Sequence, residues 1–275
     1  MNPSIFVRSK AVLGEGPVWD SRNKTLYWVD ILGGKLHVVR EGKDEEIDSP
    51  SMISALGLTK DEGKLVVAAG LSLYRYSNGF HLIGKVEERG VRFNDGKCGP
   101  DGKFWVGTMD LEEKKNLGKL FVFDGEFKVK QKNLTVSNGM DWYKDMYYLV
   151  DSPKRRIYAF RVRDDELESL GAAIETEDYP GVPDGMVVDS EGLIWVAHYG
   201  GGMITVWEPF SKRPVNVIKT PVKIVTSLTF GGEGLNQVFI TSSSKGGEEL
   251  AGSVFVMETE SKGREHYICK SWENI

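Results

Sequence analysis

Acidic and amide side chains interrupt otherwise apolar stretches at four widely separated places in this sequence. They are Glu15, Asn94 with Asp95, Asn138 and Asp184, and a glycine follows each of them directly. Carboxylate and amide oxygens are the ligands that hard cations such as Ca²⁺ prefer. The four places therefore predict an oxygen-ligated metal site, provided that the fold brings them together. Taken singly, each Asn-Gly or Asp-Gly pair is equally typical of a tight turn.

The sequence lacks the signatures of several other chemistries. It contains no nucleophile elbow, no P-loop, no dinucleotide-binding fingerprint, no His-Glu-x-x-His pair and no EF-hand loop. Its four histidines do not pair at helical spacing, which argues against a histidine-rich zinc site. The formal net charge of −5 and the absence of a basic stripe argue against a nucleic-acid partner.

A pattern of apolar residues, a polar turn and a β-branched or aromatic strand occurs six times. The copies begin at Gly16, Leu56, Gly96, Gly139, Gly185 and Leu228, so successive starts are 40, 40, 43, 46 and 43 residues apart. Each copy is typical of a β-hairpin. Further strand-like segments between the copies, at 35–39, 73–76, 119–123, 157–162 and 203–207, give about four strands per repeat.

Four-stranded units of this length predict an all-β fold, a six-bladed β-propeller formed by residues 1–275 as a single domain. A β-sandwich or a pair of small barrels is the alternative, but neither explains the long period. We expect strands from both chain ends, within residues 5–13 and 264–270, to close the ring in one blade. The polar positions share one phase of the repeat, so the ring would gather them at one mouth of its channel.

The two cysteines, Cys98 and Cys269, are too few for a disulfide scaffold and are not spaced for zinc or redox chemistry. We predict that both are free thiols. The chain start lacks an apolar signal-peptide core, and no run approaches the roughly 20 apolar residues of a membrane span. The expected location is the cytoplasm, without a membrane partner.

Five longer motifs resemble one known family. They are LGEGPVWD at 13–20, RFNDGKCGPDGKFWVGTM at 92–109, SNGMDW at 137–142, VPDGMVVDSEGLIWVAHYGGG at 182–202 and LAGSVFVM at 250–257. Over nearly its whole length the chain is similar to the regucalcin-like family of senescence marker protein, gluconolactonase and luciferin-regenerating enzyme. The resemblance implies a six-bladed propeller that hydrolyses a small lactone, a cyclic ester, with one divalent metal ion.

The resemblance also implies roles for individual residues. It assigns the metal to Glu15, Asn138 and Asp184, with Asp184 also acting as the catalytic general base. It assigns substrate contacts to Arg92 and Asn94, and a further one to Glu112 in the loop at 110–118. For Glu112 the alternative is a solvated charge run, and for Arg92 a surface residue. His198 and Tyr199 are expected to be packing residues.

Several questions stay open at the level of sequence. Ca²⁺ is the favoured metal, with Zn²⁺, Mn²⁺ and Mg²⁺ as alternatives. The substrate would be a sugar lactone such as gluconolactone or a different ring. A calcium-binding regulatory protein without turnover is the second functional class, and a propeller scaffold for partner proteins is the third. The oligomeric state is unknown.

Overall fold

The computed structural model describes residues 2–163 and 166–273 and shows six four-stranded antiparallel sheets. Blade 1 contains β2 (Gly14–Asp20), β3 (Thr25–Asp30), β4 (Lys35–Arg40) and β5 (Lys43–Asp48). Blade 2 contains β6 (Ile53–Leu58), β7 (Leu65–Ala69), β8 (Ser72–Tyr76) and β9 (Phe80–Lys85). Blade 3 contains β10 (Val91–Cys98), β11 (Phe104–Asp110), β12 (Gly118–Phe123) and β13 (Phe127–Leu134).

The second half of the chain repeats this arrangement. Blade 4 contains β14 (Ser137–Tyr143), β15 (Met146–Asp151), β16 (Arg156–Arg163) and β17 (Glu166–Glu175). Blade 5 contains β18 (Val182–Val188), β19 (Ile194–Tyr199), β20 (Met203–Trp207) and β21 (Asn216–Lys219). Blade 6 contains β22 (Val225–Gly231), β23 (Gln237–Ser242) and β24 (Val254–Glu258), with β1 (Ser4–Val7) as its outer strand.

The first strand of blades 1 to 6 is the innermost one, and each of these strands contacts the next around a closed ring, with β22 returning to β2. The predicted six-bladed propeller is therefore confirmed. Short 3₁₀ helices at Ser152–Lys154 and Ser244–Gly246 follow the second strands of blades 4 and 6. Among the residues that the structure describes, no helix is long and apolar enough to cross a membrane.

The hydrophobic core is divided into six clusters, and each cluster lies between two neighbouring blades. Between blades 3 and 4, for example, Trp105 packs edge-on against Trp142, with ring centroids 5.6 Å apart. Between blades 6 and 1, Trp19 stacks on Phe239 at 5.3 Å. A blade buries its apolar faces only against its neighbours, so the ring must close to be stable.

Strands from both chain ends close the ring, as predicted, because the N-terminal strand β1 joins the C-terminal strands β22 to β24 in blade 6. β1 pairs antiparallel with β24, with Ile5 opposite Phe255. Residues 264–270, which we expected in the same blade, instead cross the face of the ring at which the innermost strands end. There the backbone N–H of Cys269 donates to the Leu58 carbonyl at 2.8 Å, and that of Lys270 donates to the Gly102 carbonyl at 2.9 Å. The segment satisfies its backbone on blades 2 and 3.

The prediction of two free thiols is wrong, because Cys98 and Cys269 form a disulfide. Their Cα atoms lie 5.2 Å apart although 171 residues separate them in sequence. Cys98 ends β10, and the crossing segment brings Cys269 to it. The bond therefore ties the C-terminal segment to the end of the innermost strand of blade 3.

Candidate functional site

Every innermost strand shifts its pairing register where the polar positions lie. In blade 4 the shift falls between Ser137 and Met140, and in blade 5 between Pro183 and Met186. The other four innermost strands carry the same kind of shift. A bulge of this kind leaves a residue out of the ladder and re-aims its side chain. The bulges therefore turn Asn138 and Asp184 out of the regular strand pattern.

The glycines after these residues serve close packing, because both lie inside strands rather than in turns. A Cβ atom on Gly139 would lie 2.5 Å from the backbone nitrogen of Met186 in the next blade. A Cβ atom on Gly185 would meet Ser227 in the following blade. Asn-Gly and Asp-Gly are thus not turns here. They let neighbouring innermost strands approach and bring the polar side chains together.

A cavity of about 490 Å³ opens at this mouth of the channel. Five of the six site residues predicted from the sequence line it, namely Glu15, Arg92, Asn94, Asn138 and Asp184. The sixth, Glu112, is not among the lining residues, and its neighbour Glu113 is. The cavity size falls within the range that holds small-molecule ligands in proteins.

The amide of Asn138 links two walls of the site. Its Nδ2 donates to Asp184 Oδ1 at 2.5 Å and to Ser152 Oγ at 3.0 Å. Its Oδ1 is buried and has no hydrogen-bond partner among the described residues. A buried oxygen without a partner costs free energy unless a ligand satisfies it. This oxygen could ligate a cation in the cavity that Asn138 and Asp184 both line.

Glu15 and Asp184 are both deeply buried, with 7% and 5% of their surface exposed. Burial raises the pKa of Glu15 well above its usual range, and the charges of Asp184 and Asp95 raise it further. Burial likewise raises the pKa of Asp184, with Asp95 and Glu113 adding to the shift. Carboxylates that repel one another in this way favour a positive charge between them.

Together the unpartnered amide oxygen and the two carboxylates fit a divalent cation. The donor set is oxygen only, which suits Ca²⁺ or Mg²⁺ better than a soft metal. Asp95 stands beside this set, and burial raises its pKa to about 6. Glu15, Asn138 and Asp184 are the residues that could hold the ion.

Arg92 supplies positive charge at the wall of the same cavity. Its Nη1 donates to Asn94 Oδ1 at 3.0 Å and to the Phe93 carbonyl at 2.8 Å. Asn94 Nδ2 in turn donates to the Ser137 carbonyl at 3.0 Å. A guanidinium has five N–H donors, so Arg92 keeps donors for a ligand oxygen while its position is fixed.

Buried aspartates hold the loops that surround the cavity. Asp110 Oδ2 accepts from the backbone N–H groups of Lys114 and Lys115, at 2.9 and 2.6 Å. These bonds lower the pKa of Asp110. They also fold the loop after β11 into a tight turn in which Glu113 has a positive φ of 57°. Glu113 lines the cavity for this reason, whereas the sequence pattern alone pointed to Glu112.

Besides Glu113, three polar lining residues were not selected from the sequence for this site. Tyr199, expected to be a packing residue, lines the cavity, and its pKa is raised by burial and by the charges of Asp184, Glu113 and Glu15. Ser152 and Lys245 lie in the two 3₁₀ helices. Both helices follow the second strand of a blade, so an alignment of the blades could have identified these two residues.

His198, the other expected packing residue, is fully buried. Its Nε2 pairs with Thr205 Oγ1 at 2.8 Å, and burial lowers its pKa to about 4. It therefore stays neutral near pH 7 and supports the strand that carries Tyr199.

The chain is similar over nearly its whole length to proteins named as lactonases. It is 32% identical to the putative sugar lactone lactonase YvrE of Bacillus subtilis, over 96% of this chain and 97% of that protein. It is also 32% identical to 6-deoxy-6-sulfogluconolactonase of Pseudomonas putida, over 91% of each chain. Among solved structures, luciferin-regenerating enzyme superposes with a TM-score of 0.90 at 25% identity, covering 98% of this chain and 100% of that one.

A family model described as the SMP-30/gluconolactonase/LRE-like region matches residues 13–244. The match spans blades 1 to 5 and reaches into blade 6, so it includes every residue that lines the cavity apart from Lys245. The chain therefore belongs to the SMP-30/gluconolactonase/LRE-like family.

Proposed function

We propose that this protein is a metal-dependent lactonase that hydrolyses a small lactone, such as the sugar lactone gluconolactone, to the corresponding hydroxy acid. The observation that carries the proposal is Asn138, whose Oδ1 has no partner and whose Nδ2 contacts the buried Asp184 carboxylate, in a cavity that Glu15 and Arg92 also line. The lactonase names of two relatives that match over nearly the full chain support the same reaction.

Glu15, Asn138 and Asp184 would hold the metal, with Ca²⁺ favoured and Zn²⁺, Mn²⁺ or Mg²⁺ as alternatives. A divalent ion bound there supplies Lewis acidity, which polarises a carbonyl and makes a water molecule more acidic. A cation also lowers the pKa of neighbouring carboxyl groups, which would keep Glu15 and Asp184 ionised near neutral pH.

Asp184 would act as the general base in the reaction. In the net reaction, water adds to the lactone carbonyl carbon, the ring C–O bond breaks, and the ring oxygen leaves as a hydroxyl group. Asp184 would accept one proton of the attacking water and return it to the ring oxygen as the C–O bond breaks, while the second proton of the water stays on the new carboxylic acid and is released when that acid ionises. General bases of this kind contribute about 10²- to 10⁴-fold to a rate.

Arg92 and Asn94 would orient the ring and stabilise the negative charge that develops on the carbonyl oxygen. Their mutual hydrogen bond at 3.0 Å holds both side chains ready before the substrate binds. The substrate contact first assigned to Glu112 stays a prediction. Glu113 is the better placed of the two glutamates, because it lines the cavity.

The proposal is tested by acid release from δ-gluconolactone, followed with a pH indicator. Metal-stripped protein should be inactive, and one of the four divalent ions should restore turnover. Asp184→Ala should lose both metal binding and turnover, whereas Arg92→Lys should keep the metal and lose most of its turnover. Full activity of Asp184→Ala would refute the mechanism. Tight metal binding without turnover on any lactone would favour the calcium-binding alternative.

The proposed location remains the cytoplasm. Disulfides are rare in that compartment, except in hyperthermophiles. Because Cys98 and Cys269 form a disulfide, the proposed location calls for a direct test, which is fractionation of the native host.

A further inference from the structure

One side of the cavity mouth is apolar and open to solvent. Leu32, Met52 and Leu111 keep 41%, 38% and 55% of their surface exposed, and all three line the cavity. Leu13 and Ile31 continue the same wall. We call these five residues the apolar rim. They belong to the mouth loops of blades 1, 2 and 3, which are neighbours in the ring.

Hydrogen bonds fix the backbone of much of the rim in place. Asp30 accepts from the backbone N–H groups of Val12 and Leu13, both at 2.9 Å, and from that of Gly33 at 3.0 Å. Leu111 follows Asp110, whose carboxylate folds the next loop. Four rim residues therefore stand on loops with little freedom to collapse over the cavity, and the surface is formed in advance of a ligand.

Polar groups line the cavity from blades 1 and 3, which supply Glu15, Arg92, Asn94 and Glu113, as well as from the side across from the rim. Ser152, Tyr199 and Lys245 line the cavity from blades 4, 5 and 6. A sugar lactone without an alkyl chain carries hydroxyl groups around its whole ring. Against the apolar rim those hydroxyls would lose water without gaining a hydrogen bond, which is unfavourable. The polar lining residues suit a lactone ring, and the rim suits an apolar group.

We propose that the preferred substrate is a lactone with an alkyl chain on its ring, the ring lying over Asn138 and Asp184 and the chain lying on the apolar rim. This inference rests on the proposed lactonase function and names its substrate class. The supporting observation is that the rim is continuous with the cavity that contains the proposed catalytic groups. Covering the rim removes apolar surface from water, which is the main source of affinity for such a chain.

The test is a series of δ-lactones without a side chain and with one-, three- and five-carbon alkyl chains: δ-valerolactone, δ-hexalactone, δ-octalactone and δ-decalactone. We expect kcat/KM to rise about two- to fourfold for each added carbon, the range set by partial to full burial of a methylene group. The five-carbon chain should then be favoured by at least about 30-fold.

Variants of the rim identify the surface responsible. In Leu32→Ser and in Leu111→Ser the ratio of kcat/KM for δ-decalactone to that for δ-valerolactone should fall at least about threefold. The matched control is Leu82→Ser, because Leu82 is 56% exposed on the outer strand β9 and does not line the cavity. The control should leave both the ratio and the activity unchanged.

The outcomes separate this inference from the proposed function. If no lactone is hydrolysed with any metal, the proposed function fails. If lactones are hydrolysed but chain length has no effect, or the rim variants keep the ratio of the wild type, only the substrate class is wrong. Sedimentation that shows a dimer, which Leu32→Ser converts to a monomer, would also overturn the inference, because a second chain would then cover the rim.

Discussion

The two mouths of the channel are built from opposite ends of the same innermost strands, yet the pKa of a buried aspartate is shifted in opposite directions at the two. At the open mouth Asp184 belongs to a group of carboxylates, and burial raises its pKa well above the usual range. At the other mouth Asp141 is equally buried, with 4% of its surface exposed. Burial would raise its pKa as well, but Lys97, Arg264 and two backbone N–H groups hold it below its ordinary value.

The same contrast holds for space and for covalent bonding. The open mouth has a cavity of about 490 Å³, whereas the void around Asp141 and His266 measures about 20 Å³. The C-terminal segment covers this second mouth, and Cys269 fastens it to blade 3. Charge left without sufficient partners therefore marks the mouth at which we propose that a ligand binds. Charge with a full set of partners marks the mouth that holds the ring together.

Exchanging each aspartate for asparagine should separate the two mouths most strongly. Asp184→Asn should lower kcat/KM about 10²- to 10⁴-fold, because the proposed general base is lost. In metal-free protein at pH 7 it should not lower the free energy of unfolding, because the ionised carboxylate is destabilising there. Urea unfolding in the presence of a chelator, together with the lactonase assay, measures both quantities.

Asp141→Asn is the matched counterpart and should give the reverse result. The free energy of unfolding should fall by about 3 kcal/mol, because Lys97 and Arg264 lose their partner in a buried site. Activity at moderate temperature should stay close to that of the wild type. If both variants lost the same amount of stability, the contrast between the mouths would be refuted.

The disulfide should affect stability and leave catalysis unchanged. Reduction, or the double variant Cys98→Ser with Cys269→Ser, should lower the free energy of unfolding by about 2–5 kcal/mol, because a loop closed over 171 residues becomes free. Thermal unfolding with and without reductant measures the change. A large loss of kcat/KM at 25 °C on reduction would show instead that the covered mouth is coupled to the open one.

Acidification should weaken the covered mouth through His266. Burial lowers the pKa of His266 to about 3, while its Nε2 lies 2.8 Å from Thr229 Oγ1. The unfolded chain binds a proton below its pKa of about 6.5, so stability is complete above that pH and is lost as the pH falls toward 3. The loss at pH 4.5 should be on the order of 2–3 kcal/mol.

His266→Asn is the control for this pH dependence, since asparagine can keep a hydrogen bond to Thr229. The midpoint of thermal unfolding should fall less steeply between pH 6.5 and 4.5 in the variant than in the wild type. Equal slopes would mean that other groups cause the acid sensitivity, and His198, with its pKa lowered to about 4, would be the next to examine.

The smallest effect should distinguish two neighbouring glutamates at the open mouth. Glu113→Gln should change kcat/KM about three- to tenfold, because Glu113 lines the cavity and its charge acts on Asp184. Glu112→Gln should stay within twofold. The opposite ranking would restore the substrate contact that the family resemblance assigns to Glu112.

The sequence was sufficient to predict the propeller because each blade carries its own hairpin signal, and a ring of blades accounts for six copies at a regular spacing. It was also sufficient to expect Glu15, Asn94, Asp95, Asn138 and Asp184 at one mouth of the channel, since polar residues at one phase of a ring must converge. The family resemblance then singled out Glu15, Asn138 and Asp184. Their roles in metal binding and catalysis remain predictions. The Asn-Gly and Asp-Gly pairs look like turns in sequence, and only the packing of adjacent strands shows why glycine is needed.

Other features depend on long-range contacts that no local pattern contains. The pairing of Cys98 with Cys269 follows from the path of the C-terminal segment, which carries strand-like residues at 264–270 but satisfies its backbone on other blades. Glu113 lines the cavity in place of the predicted Glu112 because Asp110 accepts hydrogen bonds from the backbone of residues 114 and 115. In both cases tertiary contacts decide the outcome.

A single titration can decide whether the open mouth is a metal-dependent catalytic site. Metal-stripped protein is titrated with Ca²⁺ in a calorimeter, and acid release from a lactone is measured at each step. We predict one ion per chain, with turnover returning in parallel with occupancy, and in Asp184→Asn a weaker affinity for Ca²⁺ with turnover lowered at least about 10²-fold. Lactone turnover that persists in the fully stripped protein, or binding that Asp184→Asn leaves intact, would contradict this prediction.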